Sequence, residues 1–277
     1  MYGTPLAPYP QRIVCLSAET AEIAFAIGAG DRVVGVPGTA QRPPEARERP
    51  KVGAFTTFRL DKILALAPDL VLAFSDLQAD IVRDLLKAGV PVLGLNQRSL
   101  AGIFQAILVV GGALGRDAEA RALVRDMQDE IRQIREFSSL WPDRPRVYFE
   151  EWDEPPIAGI RWVSELIEIA GGQDIFAELR DRHDAQGRVV DLGEVVRRAP
   201  QIIVASWCGK RVDLEAIRRR PGWSALEAVR AGRLYALPSA DLLAPGPSIL
   251  RGLRALHEIV QAYVAGESVT TPPPESP

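Results

Sequence analysis

The sequence predicts an α/β protein built of two lobes, and three observations support that fold class. Short apolar runs alternate with amphipathic segments along residues 12–114, as in a parallel sheet covered by helices. A long charged segment without glycine or proline follows, and the alternation then starts again. We therefore expect two Rossmann-like α/β lobes at 11–115 and 145–265, a connecting backbone helix at 116–140 and a disordered tail at 266–277.

The first lobe opens with a strand in RIVCLS (12–17), whose Ser17 is a good N-cap for the helix that follows. Gly28 and Gly30 come after this helix and before the apolar run RVVGV. A dinucleotide-binding loop needs its glycines in the opposite order, after a strand and before a helix. The two glycines therefore indicate the end of a helix and no nucleotide site.

The rest of the first lobe repeats the same alternation. A helix in DKILALAP ends at Pro68 and leads into the strand DLVLAF (69–74). The amphipathic segment LQADIVRDLLKAG ends at Gly89, the run VPVLGL is a strand, and residues 100–114 form a further helix.

Residues 117–140 are predicted to form one long helix. Its surface is charged except for one apolar stripe, made of Leu123, Met127, Ile131 and Ile134. A rigid connector between two lobes is the natural interpretation, and a surface helix of one larger domain is the alternative. Beyond it, EVVRRAPQIIVASW (194–207) echoes ILALAPDLVLAFS (63–75), because a helix ends at Ala-Pro before an apolar strand in both. This echo indicates duplicated lobes.

The composition is that of a soluble globular protein, with 47% hydrophobic residues, 25% charged residues and a net charge of −3. That charge gives no footprint for nucleic acid or an anionic membrane. No apolar stretch is long enough to span a bilayer, and no signal peptide is recognisable at the N-terminus. Cys15 and Cys208 are expected to be two buried thiols.

The sequence offers little for catalysis or for a bare metal site. It has no G-x-S-x-G elbow, P-loop or H-E-x-x-H motif. The pair Glu150-Glu151 falls in RVYFEEW (146–152), which we predict to be a strand, and a charged loop explains the pair as well as a catalytic role does. His183 lies in a polar loop, and His257 is expected to pack within a terminal amphipathic helix. We therefore predict neither an enzyme nor a metal centre, although a chelated metal could still be part of a ligand.

Aromatic residues are the informative class, because they make up only 6% of the chain. Four of them follow or end apolar strands or lie in a loop before a helix: Phe55, Phe74, Trp152 and Trp207. Ligands of open α/β sheets bind outside the carboxyl ends of strands, and aromatic walls suit a large, rigid ligand. The alternative is that these side chains fill the lobe cores, which is the role we expect for Trp162 and Trp223.

Several segments together resemble a known family. LSAETAEIAFAIGAGDRVVGV, KVGAFTTFRLDKILALAPDLVLAF, the long helix and EEWDEPPIAGIRWVSELIEIAGGQDIF are similar to the helical-backbone substrate-binding proteins of ABC importers, which carry vitamin B12 and ferric siderophores. The resemblance covers residues 12–265, and EEWDEPP is most similar to the cobalamin-binding subgroup. It implies two α/β lobes bridged by one stiff helix, with the ligand in a cleft between the lobes.

The resemblance also implies roles for individual residues. Ligand contacts fall on Phe55, Phe74 and the Trp152 region, and we add Trp207 as a strand-end aromatic. This chain departs from the family at an aromatic position that is Thr39 here, at a tryptophan position near Arg188, and in a C-terminal loop where only Asp241 remains of an acidic-basic pair. We include Arg188 and Asp241 among the expected ligand-binding residues. Permease docking through one glutamate on each lobe falls on Glu22 and Glu194, and Asp191 to Glu194 also has the spacing of a helix cap.

We therefore expect a substrate-binding protein that captures cobalamin or a related corrinoid and delivers it to an ABC permease and its ATPase. It would have no intrinsic cofactor, act as a monomer and work in the periplasm or anchored outside the cytoplasm. One alternative keeps the fold and binds a ferric siderophore or haem, which would call for arginines from loops: Arg42, Arg59, Arg161, Arg188 and Arg211. The other is a cytoplasmic corrinoid-handling α/β protein.

Overall fold

The computed structural model describes residues 7–267, which form two compact units that divide after Met127. Each unit contains a mainly parallel sheet with helices, so the predicted class of a two-lobed α/β protein is confirmed. Most of the predicted disordered tail, from residue 268 onward, lies outside the described residues.

The first unit is built on a four-stranded sheet that is parallel throughout. Its strand order is β2-β1-β3-β4, and β3 is buried along its whole length. The strands are β1 (Ile13–Cys15), β2 (Val33–Gly35), β3 (Leu70–Phe74) and β4 (Val92–Leu95).

Four helices of the first unit begin and end close to the predicted positions: α1 (Ala18–Ala26), α3 (Leu60–Ala65), α4 (Ala79–Lys87) and α5 (Leu100–Leu114). The short helix α2 (Pro44–Arg47) lies where the sequence predicts only a Pro/Arg-rich loop at 41–50. Ser17 caps α1 in a capping box with Thr20. Gly28 follows α1 with φ +74°, a left-handed conformation that glycine adopts without a steric penalty. The interpretation of these glycines as a helix end is confirmed.

The long charged segment is one helix, α6 (Asp117–Ser138), and the division between the units falls within it. Its apolar stripe buries Val124, Met127 and Ile131, while Leu123 and Ile134 are half-buried. The stripe is therefore rotated slightly from the predicted one, because Val124 replaces Leu123 at the buried position.

The second unit contains a five-stranded sheet in the order β6-β5-β8-β9, with β7 beside β5. All pairs are parallel except β5 with β6, which form an antiparallel hairpin. The strands are β5 (Arg146–Asp153), β6 (Pro156–Ala158), β7 (Gln173–Asp174), β8 (Ile202–Ala205) and β9 (Leu234–Ala236). The predicted strand RVYFEEW (146–152) is confirmed as β5, so the explanation of Glu150-Glu151 by a charged loop is wrong.

The helices of the second unit are α7 (Arg161–Ile169), α8 (Leu192–Arg198), α9 (Leu214–Arg218), α10 (Glu227–Arg230), α11 (Ser239–Leu242) and α12 (Ile249–Ala265). The predicted echo between the units has a backbone counterpart. Ala67 after α3 and Ala199 after α8 both adopt left-handed conformations, with φ +44° and +45°, and each precedes a proline and then a buried strand. The residue before proline avoids the helical region, so the same dipeptide ends a helix in the same way twice.

Buried aromatic side chains fill the core of the second unit. Trp162 and Trp223 are 2% and 0% exposed, which confirms the predicted core role of both. His257 stacks on Trp141 with ring centroids 5.0 Å apart, so its predicted packing is confirmed as well.

The two cysteines differ in exposure. Cys15 is buried in β1, as predicted, but Cys208 is exposed, so the prediction of two buried thiols is wrong for it. The apolar run of β8 ends at Ala205, and the chain turns outward beyond Trp207. Among residues 7–267, no helix is long and apolar enough to cross a membrane.

Candidate functional site

In the first unit, two predicted aromatic residues meet at the carboxyl end of a strand. Phe74 is the last residue of β3, and Phe55 lies in the loop before α3. Their ring centroids are 6.3 Å apart at an interplanar angle of 47°. Phe74 is 5% exposed and Phe55 is half-buried, so Phe55 provides the more accessible surface of the pair.

A buried amide holds this pair together. Gln78, 1% exposed, donates from Nε2 to the carbonyl oxygens of Leu16 (2.9 Å) and Phe55 (3.0 Å). Its Oε1 accepts from the backbone N–H of Phe74 at 3.0 Å. Both donor hydrogens are used, and one side chain links the end of β1, the Phe55 loop and the end of β3.

The Phe55 loop is also closed by its own backbone. The N–H of Ala54 donates to the Thr57 carbonyl oxygen at 2.8 Å, and the N–H of Gly38 donates to the Gly53 carbonyl oxygen at 2.7 Å. Gly53 has φ +158°, and a Cβ there would lie 2.3 Å from the Thr57 oxygen. Only glycine fits this position, so the loop presents Phe55 in one ordered conformation.

In the second unit, two tryptophans lie at the carboxyl ends of neighbouring parallel strands. Trp152 is near the end of β5, and Trp207 is two residues beyond β8. The Nζ of Lys210 is 4.8 Å from each ring centroid and 2.6 and 2.7 Å from the two carboxylate oxygens of Asp153. The two rings therefore form an aromatic box around an ammonium group.

Glu150 holds one ring of this aromatic box, that of Trp207, through a buried hydrogen-bond network. Its side chain is fully buried and accepts from Trp207 Nε1 (3.1 Å), Tyr148 Oη (2.9 Å) and both terminal nitrogens of Arg220 (2.5 and 3.0 Å). Burial and the nearby Glu150 carboxylate raise the pKa of the Tyr148 hydroxyl, so Tyr148 remains a donor. The bidentate arginine balances the buried charge, and the network orients Trp207.

Arg188 lies in a second buried ion pair of the same unit. Its terminal nitrogens contact both carboxylate oxygens of Glu151, at 2.6 and 3.1 Å, and one of them donates to the Ala158 carbonyl oxygen at 2.6 Å. Glu151 also accepts from the N–H of Ile160 at 3.0 Å. With Arg188 2% exposed, this geometry favours a role in joining β5 to β6 over direct contact with a ligand.

Asp241 is half-buried in α11, away in sequence from the aromatic strand ends. Its helix is tied to the core by the Trp162 indole, which donates to the Leu242 carbonyl oxygen at 2.7 Å. Helix α11 also packs closely on α12, because a Cβ added to Gly252 of α12 would lie 2.4 Å from the Asp241 carbonyl oxygen. The backbone of this segment is therefore fixed to Trp162 and to α12.

The two predicted docking glutamates lie in different electrostatic settings. Glu22 is half-buried on α1. Glu194, near the start of α8, forms ion pairs with Arg197 and Arg198 of its own helix, and the Arg198 hydrogen bond lowers the pKa of its carboxyl. The side chain of Asp191 accepts from the N–H of Glu194 at 3.0 Å, so the predicted helix cap at this spacing is formed by Asp191.

The remaining predicted candidates are spread over the surface. Thr39 and His183 are exposed in loops. Arg59 pairs with Asp61 and Arg161 with Glu165, while Arg42 is half-buried and Arg211 exposed. Within residues 7–267, no three His, Cys, Asp or Glu side chains come together as metal ligands would.

The sequence alone assigned no role in these sites to three of their residues: Gln78, Glu150 and Lys210. Gln78 and Lys210 follow the strand-end aromatics Phe74 and Trp207 by four and three residues. A polar residue just beyond such a strand was the available signal. Glu150 alternates with Tyr148 and Trp152 on one face of a strand, which would have indicated burial.

Comparison with known proteins shows the same architecture. The family model described as periplasmic binding protein matches residues 13–240. An uncharacterized ABC transporter substrate-binding lipoprotein, YvrC of Bacillus subtilis, is 29% identical over 261 residues, covering 91% of this chain and 80% of that protein. A vitamin B12-binding protein of Vibrio parahaemolyticus is 27% identical over 228 residues, covering 77% of this chain and 80% of its own.

Two solved structures also superpose over nearly the whole chain. The periplasmic haem-binding protein RhuT of Roseiflexus has a TM-score of 0.77 at 26% identity, covering 92% of this chain and 98% of that one. The vitamin B12-binding protein BtuF of Vibrio cholerae has a TM-score of 0.74 at 24% identity, covering 93% and 99%. The second likeness shows the fold alone.

Proposed function

This chain belongs to the periplasmic binding protein family, and we propose that it is the substrate-binding protein of an ABC importer that captures cobalamin or a related corrinoid. In this proposal it delivers the ligand to a membrane permease powered by a separate ATPase. It carries no intrinsic cofactor, performs no chemistry on the ligand, acts as a monomer and works outside the cytoplasm.

The observation that carries the proposal is the placement of aromatic side chains at the carboxyl ends of strands in each unit. Phe55 with Phe74 and Trp152 with Trp207 are the two pairs. A corrin ring is large, rigid and largely apolar on its faces, so it gains binding free energy by stacking on such rings. The names of the curated relatives, which include several vitamin B12-binding proteins, support the same ligand class.

We assign the contact roles according to exposure. Phe55 and Trp152 are half-buried and supply most of the ring surface, while Phe74 packs against Phe55 and the buried Trp207 has one ring face under Lys210. Asp241 supplies a hydrogen-bond acceptor for the polar periphery of the ligand. Arg188 acts indirectly, by holding Glu151 and the β5–β6 hairpin that carries Trp152.

Haem or a ferric siderophore is the second candidate ligand, favoured by the likeness to the haem-binding protein RhuT. An anionic siderophore would require cationic groups that are not already paired. Arg59 and Arg161 are engaged by Asp61 and by Glu165 with Asp181, which reduces the positive charge they can offer. These two pairs are exposed and therefore weak, so the vitamin B12-binding names among the relatives make the corrinoid our first choice.

Isothermal titration calorimetry with cyanocobalamin, cobinamide, haemin and a ferric hydroxamate tests the proposal. Tryptophan fluorescence can be followed in parallel, and it reports directly on the second unit because all five tryptophans lie beyond residue 140. We expect one-to-one binding of a corrinoid at micromolar or lower concentration. If only haemin or only the hydroxamate binds, that compound takes the place of the corrinoid as the assigned ligand. If none of the four binds, the proposal is contradicted.

Two variants connect binding to the site. Trp152→Leu should weaken corrinoid binding roughly tenfold, since a stacked aromatic contact is lost. Trp141→Leu is the matched control, because Trp141 is a half-buried tryptophan of the same unit that stacks on His257. Equal losses in both variants would mean that Trp152 contributes to stability and not to ligand contact.

A further inference from the structure

Lys210 covers the accessible faces of two tryptophans in the second unit. Trp207 belongs to the hydrophobic core cluster, and Trp152 packs against the same cluster. Both indole N–H groups also form hydrogen bonds within the protein. Trp152 donates to the Glu154 carbonyl oxygen at 2.9 Å, and Trp207 donates to the Glu150 carboxylate at 3.1 Å. Ring surface is therefore what these residues can offer a ligand, and the ammonium of Lys210 lies over it.

A flat ligand and the ammonium cannot share that surface. The Nζ of Lys210 is 4.8 Å from both ring centroids. A stacked ring system approaches an indole face to about 3.5–4 Å, the contact distance between carbon atoms. Any ligand that stacks on Trp152 must therefore move Lys210 away first.

Lys210 is held, but it is not locked. Both carboxylate oxygens of Asp153 contact its Nζ, at 2.6 and 2.7 Å, while 40% of the lysine side chain remains exposed. An exposed ion pair and exposed cation–π contacts are each weak, so a ligand with a large ring surface can displace the ammonium. A ligand without such a surface gains too little from the uncovered rings.

We propose that Lys210 is a specificity-determining residue that shields Trp152 and Trp207 until a flat macrocycle displaces it. This inference rests on the proposed function and adds a substrate class to it: ligands with an extended ring surface, such as corrinoids or haem, over compact ferric siderophores. The cost of displacement lowers the affinity for every ligand that uses these rings and excludes those that cannot offset it.

The lysine content makes a direct measurement possible. The chain has only four lysines, Lys51, Lys62, Lys87 and Lys210, so protein labelled with ¹³C-lysine gives a simple side-chain NMR spectrum. Lys210 should show one ε-methylene signal shifted upfield by the two indole rings, and Trp152→Leu should reduce that shift. Saturation with cyanocobalamin or gallium(III) protoporphyrin, both diamagnetic, should return the signal to the position of an exposed lysine, whereas a gallium(III) hydroxamate should leave it in place.

Affinity provides the second readout. Lys210→Met should bind the macrocycle tighter by a factor on the order of ten, because a ligand no longer has to break the ion pair with Asp153 and the two cation–π contacts. The matched control is Lys87→Met, which removes the same charge from an exposed position on α4 and should leave affinity unchanged. Asp153→Asn should also tighten binding, by a smaller factor, since it frees the ammonium.

The outcomes separate this inference from the proposed function. Weaker or unchanged binding by Lys210→Met, or ligand saturation with an unmoved lysine signal, overturns the shield while leaving the proposed function intact. Displacement of the lysine by the hydroxamate overturns the assigned substrate class. If neither the parent chain nor Lys210→Met binds any of the ligands, both the proposed function and the shielding role of Lys210 are overturned.

Discussion

The side-chain amide of Gln78 donates a hydrogen bond to the backbone carbonyl oxygen of Phe55 at 3.0 Å, across 23 positions of the chain. The same nitrogen reaches the Leu16 carbonyl oxygen, and the amide oxygen accepts from Phe74. One buried glutamine thus fixes the loop that carries the accessible phenylalanine to the strand that carries the buried one.

Replacing Gln78 by methionine should destabilise the first unit by about 2–3 kcal/mol, because buried backbone groups lose their partners. Hydrogen exchange should show the loss at residues 53–58 and at the end of β3. The unit contains no tryptophan among positions 1–127, so fluorescence is not the right probe. The control is Gln41→Met, whose amide makes an exposed bond to Gly38 and should change stability by less than about 0.5 kcal/mol.

Glu150→Gln should destabilise the second unit by about 3–5 kcal/mol, because it leaves the Arg220 guanidinium without its buried counter-charge. Urea unfolding followed by tryptophan fluorescence measures this change. Glu130→Gln is a matched control, since Glu130 and Arg254 also form a bidentate pair but on the surface. Its loss should stay below about 1 kcal/mol, and similar losses in the two variants would contradict the role of burial.

The stability of the first unit should fall as pH rises from about 4.5 to about 7. Burial raises the pKa of the Glu19 carboxyl to about 7, so the folded chain keeps a proton that the unfolded chain has released. Stability from this group is therefore complete below pH 4.5 and lost as pH rises through 7, by about 3 kcal/mol.

Glu19→Gln should remove this part of the pH dependence and make the unit more stable above pH 7. Hydrogen exchange of the first unit at several pH values, for the parent chain and the variant, measures the difference. Parallel pH profiles for the two proteins would mean that Glu19 is ionised in the folded state.

One thiol of the native chain should react quickly with a disulfide reagent. Cys208 is exposed, whereas Cys15 is buried and its pKa is raised to about 12 by desolvation. We expect one equivalent of modified thiol in the native protein and two in denaturant, with Cys208→Ser abolishing the native reaction. Fast modification of the Cys208→Ser protein would show that the core around β1 opens.

Charge removal at the proposed docking glutamates should affect transport and leave ligand affinity unchanged. Glu22→Gln and Glu194→Gln should each lower ligand uptake or stimulated ATPase activity in vesicles that contain the cognate permease. The variant in which both glutamates are replaced should lower uptake further than either single variant, since each charge contributes to docking on its own lobe. Unchanged uptake in both single variants would contradict the docking role.

Local patterns in the sequence were sufficient for the elements that depend on near neighbours. The cap at Ser17, the helix end at Gly28, the uninterrupted helix after Asp117 and the Ala-Pro stops are all set by backbone conformations and contacts within a few residues. These elements, taken in order, were enough to predict two α/β lobes.

The burial of Glu150 in the β5–β6 hairpin depends on contacts between residues that are far apart in the sequence. The run RVYFEEW predicts a strand, but two adjacent charged residues at its end give no sign that one of them is fully buried. In the folded chain, Glu150 receives Trp207 from 57 positions away and Arg220 from 70, which together offset the cost of burying its charge. No pattern within one segment contains those partners.

The sequence by itself determined the fold class and the aromatic character of the strand ends, because both follow from local periodicity and residue type, and the order of its segments carried the resemblance to the family. Only the tertiary structure decided which of those rings are accessible and what covers them. Lys210 lies over Trp152 because β5 and β8 are parallel neighbours, which brings their carboxyl ends together from distant positions. The side chains at such an edge meet only after the sheet has formed, so their contacts are a property of the fold.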